Sequence, residues 1–266
     1  MGYAIKLYGV SAPSLGLGRV TFVEDYYNVI ANAFFAQLSN ATQTEQDACL
    51  QLIKTLCEYG VYNKFKLMLP MIGASVQDKL RDVVDPTDNS LYTKYNNTEA
   101  IGNFSVGSDN TLQTVATSSK TISYNRGTWG STPFSIIGSY KTSNPPGATS
   151  LMAGTYNVDT NVNGAPRIDI SGTYIPTASI PSLSGNTSFV DVVSYNGTTA
   201  KIYHKGEQIA SVDVTSPLST INITRLMSYS AANWTFLGFA EQLTAEEVTI
   251  VTNAILKFNT ALNRVV

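Results

Sequence analysis

Residues 192–262 change their hydrophobic period once, and that change restricts the architectures open to the chain. Up to Leu243 the polar and apolar residues alternate in pairs of short runs. Lys201-Ile202-Tyr203-His204 and Gln208-Ile209-Ala210-Ser211-Val212 flank Lys205-Gly206, and a glycine there supplies the positive φ of a tight hairpin turn. Ile202, Ile209 and Val212 are then expected on a core face. After Leu243 the period becomes 3.6. Thr244-Ala245-Glu246-Glu247 is a capping box, and Val248, Val251, Ile255, Phe258 and Leu262 recur at steps of three and four, the stripe of a closing helix.

The same alternation runs backwards through the chain. Residues 134–140, 150–156, 167–171, 188–195, 200–204, 209–214, 221–227 and 235–239 read as short strands separated by polar segments with Gly and Pro. Strands at this spacing, with no helical period among them, predict a two-sheet sandwich. Residues 144–147, 157–166 and 174–185 are its longer loops. No tandem repeat or heptad array is present.

The first third differs. Tyr26, Ile30, Phe34 and Leu38 predict one helix, and Thr42-Gln43-Thr44-Glu45 opens a second that carries Leu52, Ile53 and Leu56 inward and stops at Gly60. The short connection makes the pair antiparallel. Residues 64–72 are apolar with a break at Pro70, and residues 75–84 read as a short helix stopped by Asp85-Pro86, the expected boundary. Residues 1–22, with Gly9, Gly16 and Gly18, read either as an arm lying on the surface or as an assembly anchor. The division expected is therefore an arm over 1–22, a helical region over 23–86 and a β-sandwich with its helix over 87–266.

Ile202-Tyr203-His204-Lys205-Gly206, Phe236-Leu237-Gly238-Phe239 and Leu243-Thr244-Ala245-Glu246-Glu247-Val248 together resemble the closing unit of concanavalin A-like (laminin-G-type) jelly rolls. Phe258-Asn259-Thr260-Ala261-Leu262-Asn263-Arg264 resembles the tail of bacteriophage virion proteins that carry this module. So do Phe34-Phe35-Ala36-Gln37-Leu38 and the segment Gly60-Val61-Tyr62-Asn63-Lys64-Phe65-Lys66-Leu67, where Tyr62 and Lys66 stand in place of a tryptophan and an acid. The resemblance implies a mainly β protein with an α-helical N-terminal region and a jelly-roll sandwich closed by a C-terminal helix. It also implies a virion structural protein, either an exposed head fibre or decoration protein or a tail component. Its partners would be other virion proteins and further copies of itself, a trimer rather than a dimer.

Composition narrows the field. Charged residues are 14% of the 266 and the net charge is −2, with no basic stripe, which argues against a nucleic-acid partner. Met1-Gly2-Tyr3-Ala4-Ile5-Lys6 has no signal-peptide core and no apolar run reaches membrane length, so synthesis in a host cytoplasm without membrane insertion is expected. Cys49 and Cys57 lie on one helix roughly 12 Å apart, too far to bridge. They are read as buried thiols rather than metal ligands. Asn-x-Ser/Thr sequons, as at Asn40, Asn196 and Asn233, are read as the accident of an Asn- and Thr-rich chain.

No catalytic residue, metal ligand or cofactor site is expected. His204, the one histidine, stands beside a turn and is read as facing solvent, away from any Gly-x-Ser-x-Gly elbow. Glycoside hydrolysis needs two carboxylates about 5–5.5 Å apart for retention. The strand Arg167-Ile168-Asp169-Ile170-Ser171 offers one, so hydrolysis is the weakest reading. Sugar binding uses an aromatic platform with Asn and Asp, and Trp129, Arg126, Asn157 and Asp159 are the candidates for contacting a host surface glycan or a protein partner. Against that stands the more ordinary role of Trp129 as packing.

Overall fold

The structure is a computed structural model and describes residues 22–87, 104–114, 120–122, 133–142, 149–153, 156–160, 166–170, 173–175, 188–213, 225–228 and 232–264. The N-terminal arm expected over 1–22, apart from Phe22 at the start of the first helix, lies outside them, as do Arg126, Trp129 and the residues of the 144–147 loop.

Two helices come first. α1 (Phe22–Phe35) leads by a short connection into α2 (Gln43–Glu58), which Thr42 caps and Gly60 terminates at φ +71, both as the sequence suggests. The stripe of α1 is rotated from the expected one. Tyr27, Ala31 and Phe34 are buried, while Tyr26, Ile30 and Leu38 are half-buried against the same cluster. A 3-10 turn at Tyr62–Lys64 then passes into β1 (Phe65–Leu69), and the 75–84 segment shortens to a single turn, α3 (Val76–Lys79).

The strands follow as β2 (Phe104–Val106), β3 (Leu112–Thr114), β4 (Lys120–Ile122), β5 (Phe134–Thr142), β6 (Thr149–Ala153), β7 (Tyr156–Thr160), β8 (Pro166–Ile170), β9 (Thr173–Ile175), β10 (Ser188–Tyr195), β11 (Thr199–His204), β12 (Glu207–Asp213), β13 (Arg225–Ser228) and β14 (Ala232–Glu241). The chain closes with α4 (Ala245–Ala261). Among the described residues all strand pairings are antiparallel. One sheet has eight strands in the order β12-β11-β10-β5-β14-β3-β2, with β1 also on β14; the other has six, β4-β13-β6-β7-β8-β9. Residues 150–156, read as one strand, are divided between β6 and β7, which pair with each other, and the apolar run 64–72 supplies β1, a strand of the larger sheet.

Register explains the layering. On the eight-stranded sheet Ile137, Val190, Val192, Tyr203, Phe236 and Ala240 share a cluster with α1, α2 and α4. Alternation sends Phe134, Ile136, Tyr140, Val193, Tyr195 and Trp234 to the opposite face, and these are buried too. On the six-stranded sheet the pairings line up Ile122, Leu226, Leu151, Val158, Ile168 and Ile175 across one face. The other face carries Arg225, Met152, Asn157, Asp169 and Tyr174 in one row, with Thr121, Met227, Ser150, Asp159 and Arg167 in the next. One apolar face on each sheet beyond the helix layer fits a β-sandwich.

The 205–206 turn has φ +49 at Lys205 and +86 at Gly206, the paired positive angles of a type I′ hairpin. Ile202 is buried as expected, but Ile209 and Val212 are only half-buried, because β12 is the edge strand and Ile209 is an extra residue opposite β11. Cys49 and Cys57 are buried free thiols on α2, as the spacing requires.

α4 is pinned at its start. Ser135 Oγ accepts from Leu243 N at 2.9 Å and Ser194 Oγ donates to Leu243 O at 2.7 Å, fixing the turn out of β14. Thr244 and Glu247 complete their capping box, and Glu247 also takes Lys64 Nζ at 2.7 Å from the turn before β1. Val248, Val251, Ile255 and Phe258 are then buried, each worth on the order of 1.5–3 kcal/mol. Replacing Phe258 with Ala should cost about 3–5 kcal/mol and Thr244 with Ala about 1 kcal/mol, measured as shifts in the urea midpoint at unchanged slope.

Candidate functional site

Where α2, α3, the β2–β3 turn and the end of α4 meet, four polar side chains are withdrawn from water together. Glu45, Lys79 and Arg264 are buried, at 5%, 0% and 3% exposure, and Asn110 is half-buried between them. A buried charge costs several kcal/mol unless its partners are placed beforehand. Here the partners are mostly backbone carbonyls.

Lys79 Nζ donates to Gly73 O at 2.8 Å, to Asn110 O at 2.7 Å and to Asn110 Oδ1 at 2.8 Å, with Met71 O at 3.4 Å. Arg264 reaches the same carbonyls from the other side, donating through Nη2 to Met71 O at 2.8 Å and Asn110 O at 2.9 Å and through Nη1 to Pro70 O at 3.4 Å. Glu45 uses one oxygen in its capping box. The other, Oε1, accepts from Gly73 N at 3.0 Å and Asn110 Nδ2 at 2.7 Å.

The backbone is bent to offer those carbonyls. Met71, Gly73, Asn110 and Asn263 have φ of +50, +92, +53 for Asn263 and +56 for Asn110, a region that disfavours β-carbons. At Gly73 an added Cβ would stand 2.4 Å from that of Asp78, so the position admits only glycine. Asp78 in turn holds the α1–α2 connection, accepting from Ser39 N at 2.8 Å and Ser39 Oγ at 2.7 Å as well as from Ser75 in its own capping box.

Electrostatics follow from this burial. Desolvation, reinforced by the Arg264 charge, pulls the Lys79 amine down to about 8, against the favourable fields of Glu45 and Asp78. Arg264 is lowered to about 10 for the same first reason, with Glu45 and Asp109 opposing. Burial alone would raise Asp78, but its hydrogen bonds from Ser39 and Ser75 outweigh that and leave it below the usual carboxylate range. A pocket of about 160 Å³ opens on the group, lined by Thr42, Thr44, Asp109 and Leu262 beside Glu45, Asn110, Asn263 and Arg264.

A second buried network spans three strands. Asp191, 1% exposed on β10, accepts from Tyr140 of β5 at 3.0 Å and meets His204 Nδ1 of β11 at 2.8 Å. This corrects the reading of His204 as a solvent-facing turn residue. Asp191 and His204 are register partners, and pairing brings the ring onto the carboxylate.

The sequence candidates stand elsewhere. Asn157 and Asp159 lie on β7, opposite Asp169 and Arg167 of β8, so they belong to a strand rather than to the expected 157–166 loop. Glu45, Lys79, Asn110 and Arg264 were not among them. Glu45 already had a reason to be there as a cap, and the positive φ of Asn110 leaves only the weak turn signal of Ser108-Asp109-Asn110.

No protein-family model matches the chain, and no curated protein matches it. Among solved structures, the botulinum neurotoxin serotype D binding domain superposes with a TM-score of 0.48 at 13% identity, over 72% of this chain and 51% of that one. A Trypanosoma rangeli sialidase does so at 0.43 and 14%, over 56% and 28%, and the binding domain of Paraclostridial mosquitocidal protein 1 at 0.38 and 14%, over 56% and 45%. The chain thus spans about half or less of the solved chains it superposes on. Likeness at this level brings neither an activity nor a ligand with it.

Two outcomes test the site. Replacing Arg264 with Met should cost about 3–5 kcal/mol in chemical denaturation, because the Met71 and Asn110 carbonyls lose a buried donor. The lowered Asp78 stabilises the fold at pH values above the ordinary carboxylate range, and that stability is lost as pH falls through the range toward its folded value. Melting temperature between pH about 5 and about 2 should therefore fall more steeply for the wild type than for Asp78→Asn.

Proposed function

We propose that the chain is a non-enzymatic structural protein of a bacteriophage particle, an exposed head fibre, decoration or tail component built on a concanavalin A-like jelly roll and acting through protein–protein contacts. One observation carries this reading. The N-terminal and C-terminal segments that resemble phage virion proteins are not independent modules, since the tail residue Arg264 is seated on the carbonyls of Pro70 and Met71, just beyond the 60–67 motif. Lys64 of that motif likewise binds Glu247 of the closing helix. The two likenesses therefore describe one packed unit. Self-association with further copies belongs to the same proposal, as does localisation to the virion.

Peptides of this chain should appear in the mass spectrum of particles purified from the culture that encodes it, at a copy number comparable with known particle proteins. Their confinement to the unassembled soluble fraction would end the proposal.

A carbohydrate-binding module is the second reading, and the register of the six-stranded sheet supports it. Asn157, Asp159, Arg167, Asp169, Tyr174 and Arg225 share one face, with two basic and two acidic residues in balance. A row crossing five strands is about 19 Å long, enough for a short oligosaccharide. Neutral hydroxyl-rich ligands suit such a face better than polyanions do. A glycan array at physiological calcium separates the readings: specific binding that Tyr174→Ala abolishes selects the second, and uniform background removes it.

A further inference from the structure

We propose that Lys79 and Asn110 join through an intramolecular amide bond, formed without any other enzyme and with Glu45 as the proton carrier. The three groups stand in a line suited to that one reaction. The Lys79 amine is 2.8 Å from Oδ1 of the Asn110 carboxamide, so it touches the carbonyl it attacks. The other end of the same carboxamide, Nδ2, is 2.7 Å from Glu45 Oε1. A nucleophile on one side of a planar amide and a carboxylate on its leaving nitrogen is the pairing that amide exchange requires.

Three features of the surroundings favour the step. Lys79 is completely buried and Glu45 nearly so, which excludes the water that would hydrate the amine and compete for the carbonyl. The amine is held by Gly73 O and Asn110 O, and Glu45 is held by Thr42 and Gly73, so neither group spends freedom on finding the other. Burial, reinforced by the Arg264 charge on the Met71 and Asn110 carbonyls that Lys79 also meets, brings the amine down to about 8. Roughly a tenth of it is then neutral at neutral pH, against roughly one part in a few thousand for an ordinary lysine.

The atoms balance without an oxidant or a co-reactant. The neutral amine releases its N–H hydrogen bond to Oδ1 and turns its lone pair to the face of Cγ, and the new C–N bond gives a tetrahedral centre. Glu45 takes the proton that Nζ releases and returns it to Nδ2. The Cγ–Nδ2 bond breaks, ammonia departs, and a secondary amide links residues 31 positions apart in the chain. The crosslink fastens α3 to the β2–β3 turn and closes the loop between them permanently. Nothing in this depends on the particle assignment or on the glycan reading.

The test is the intact mass of the full-length folded protein, incubated above pH about 8 and then denatured. The expected mass is that of the sequence less one ammonia, and digestion should yield a branched peptide joining the Lys79 and Asn110 fragments. Lys79→Arg and Asn110→Ala should keep the full sequence mass. Glu45→Gln, checked as folded by circular dichroism, should form the link slower by roughly a hundredfold or more. The wild-type measurement stands even where a variant fails to fold. A folded wild-type chain that keeps its full mass overturns the proposal, and so does an ammonia loss that maps to Asn196-Gly197 or any other asparagine.

Discussion

Two cations, Lys79 and Arg264, share one set of backbone carbonyls out of reach of water, and the arrangement of the first and last parts of the chain follows from satisfying them. Among the described residues neither cation has a carboxylate in direct contact; Asn110 stands between Lys79 and Glu45 and relays the charge as a dipole. Such a group is expensive to half-build. Remove one member and the rest keep their desolvation cost without their partners. The left-handed residues Met71 and Asn110 are held in place by this requirement, since the strain of each is offset by the donor its carbonyl receives, while Gly73 takes its positive φ without strain.

The larger sheet depends on β14 in the same way. Its one edge pairs along its whole length with β5, and its other edge is divided, with β3 beside Asn233 and Trp234 and β1 beside the stretch Leu237 to Ala240. Phe65 and Phe236 meet edge-on across that division at 6.5 Å, and an added Cβ on Gly238 would stand 2.9 Å from Phe65, so the glycine makes room for the ring. α4 then lies over the strands that β14 has gathered, with Asn259 donating to Ser139 Oγ at 3.0 Å inside the apolar layer.

What the sequence revealed was local. The capping boxes at Thr42 and Thr244, the Gly60 stop, the Lys205-Gly206 turn and the alternation of β10, β11 and β14 each depend on residues a few positions apart, and all are where the pattern places them. β1 escaped because an apolar run broken by Pro70 says nothing about a partner some 170 residues away. β2 and β3 escaped because three residues are too few for a period. The four residues of the buried polar group come from four distant segments and carry no common motif. His204 was misjudged for a related reason: its position beside a turn is local, while its partner Asp191 is fixed by strand register. Trp129 and Arg126 fall outside the described residues, and Asn157 and Asp159, which the polar run 157–166 suggests for a loop, stand on β7.

The divided edge of β14 also sets a timetable for synthesis. β1 leaves the ribosome well before its hydrogen-bonding partner and the helix that covers it. Until then α1, α2 and β1 present an uncovered apolar side, and no assembly of the larger sheet can be finished piecemeal from the start of the chain. Nascent copies thus reach their working shape only once α4 has emerged, and a premature stop before Arg264 leaves the Met71 and Asn110 carbonyls short of a donor in a product that cellular quality control meets as an unfinished chain.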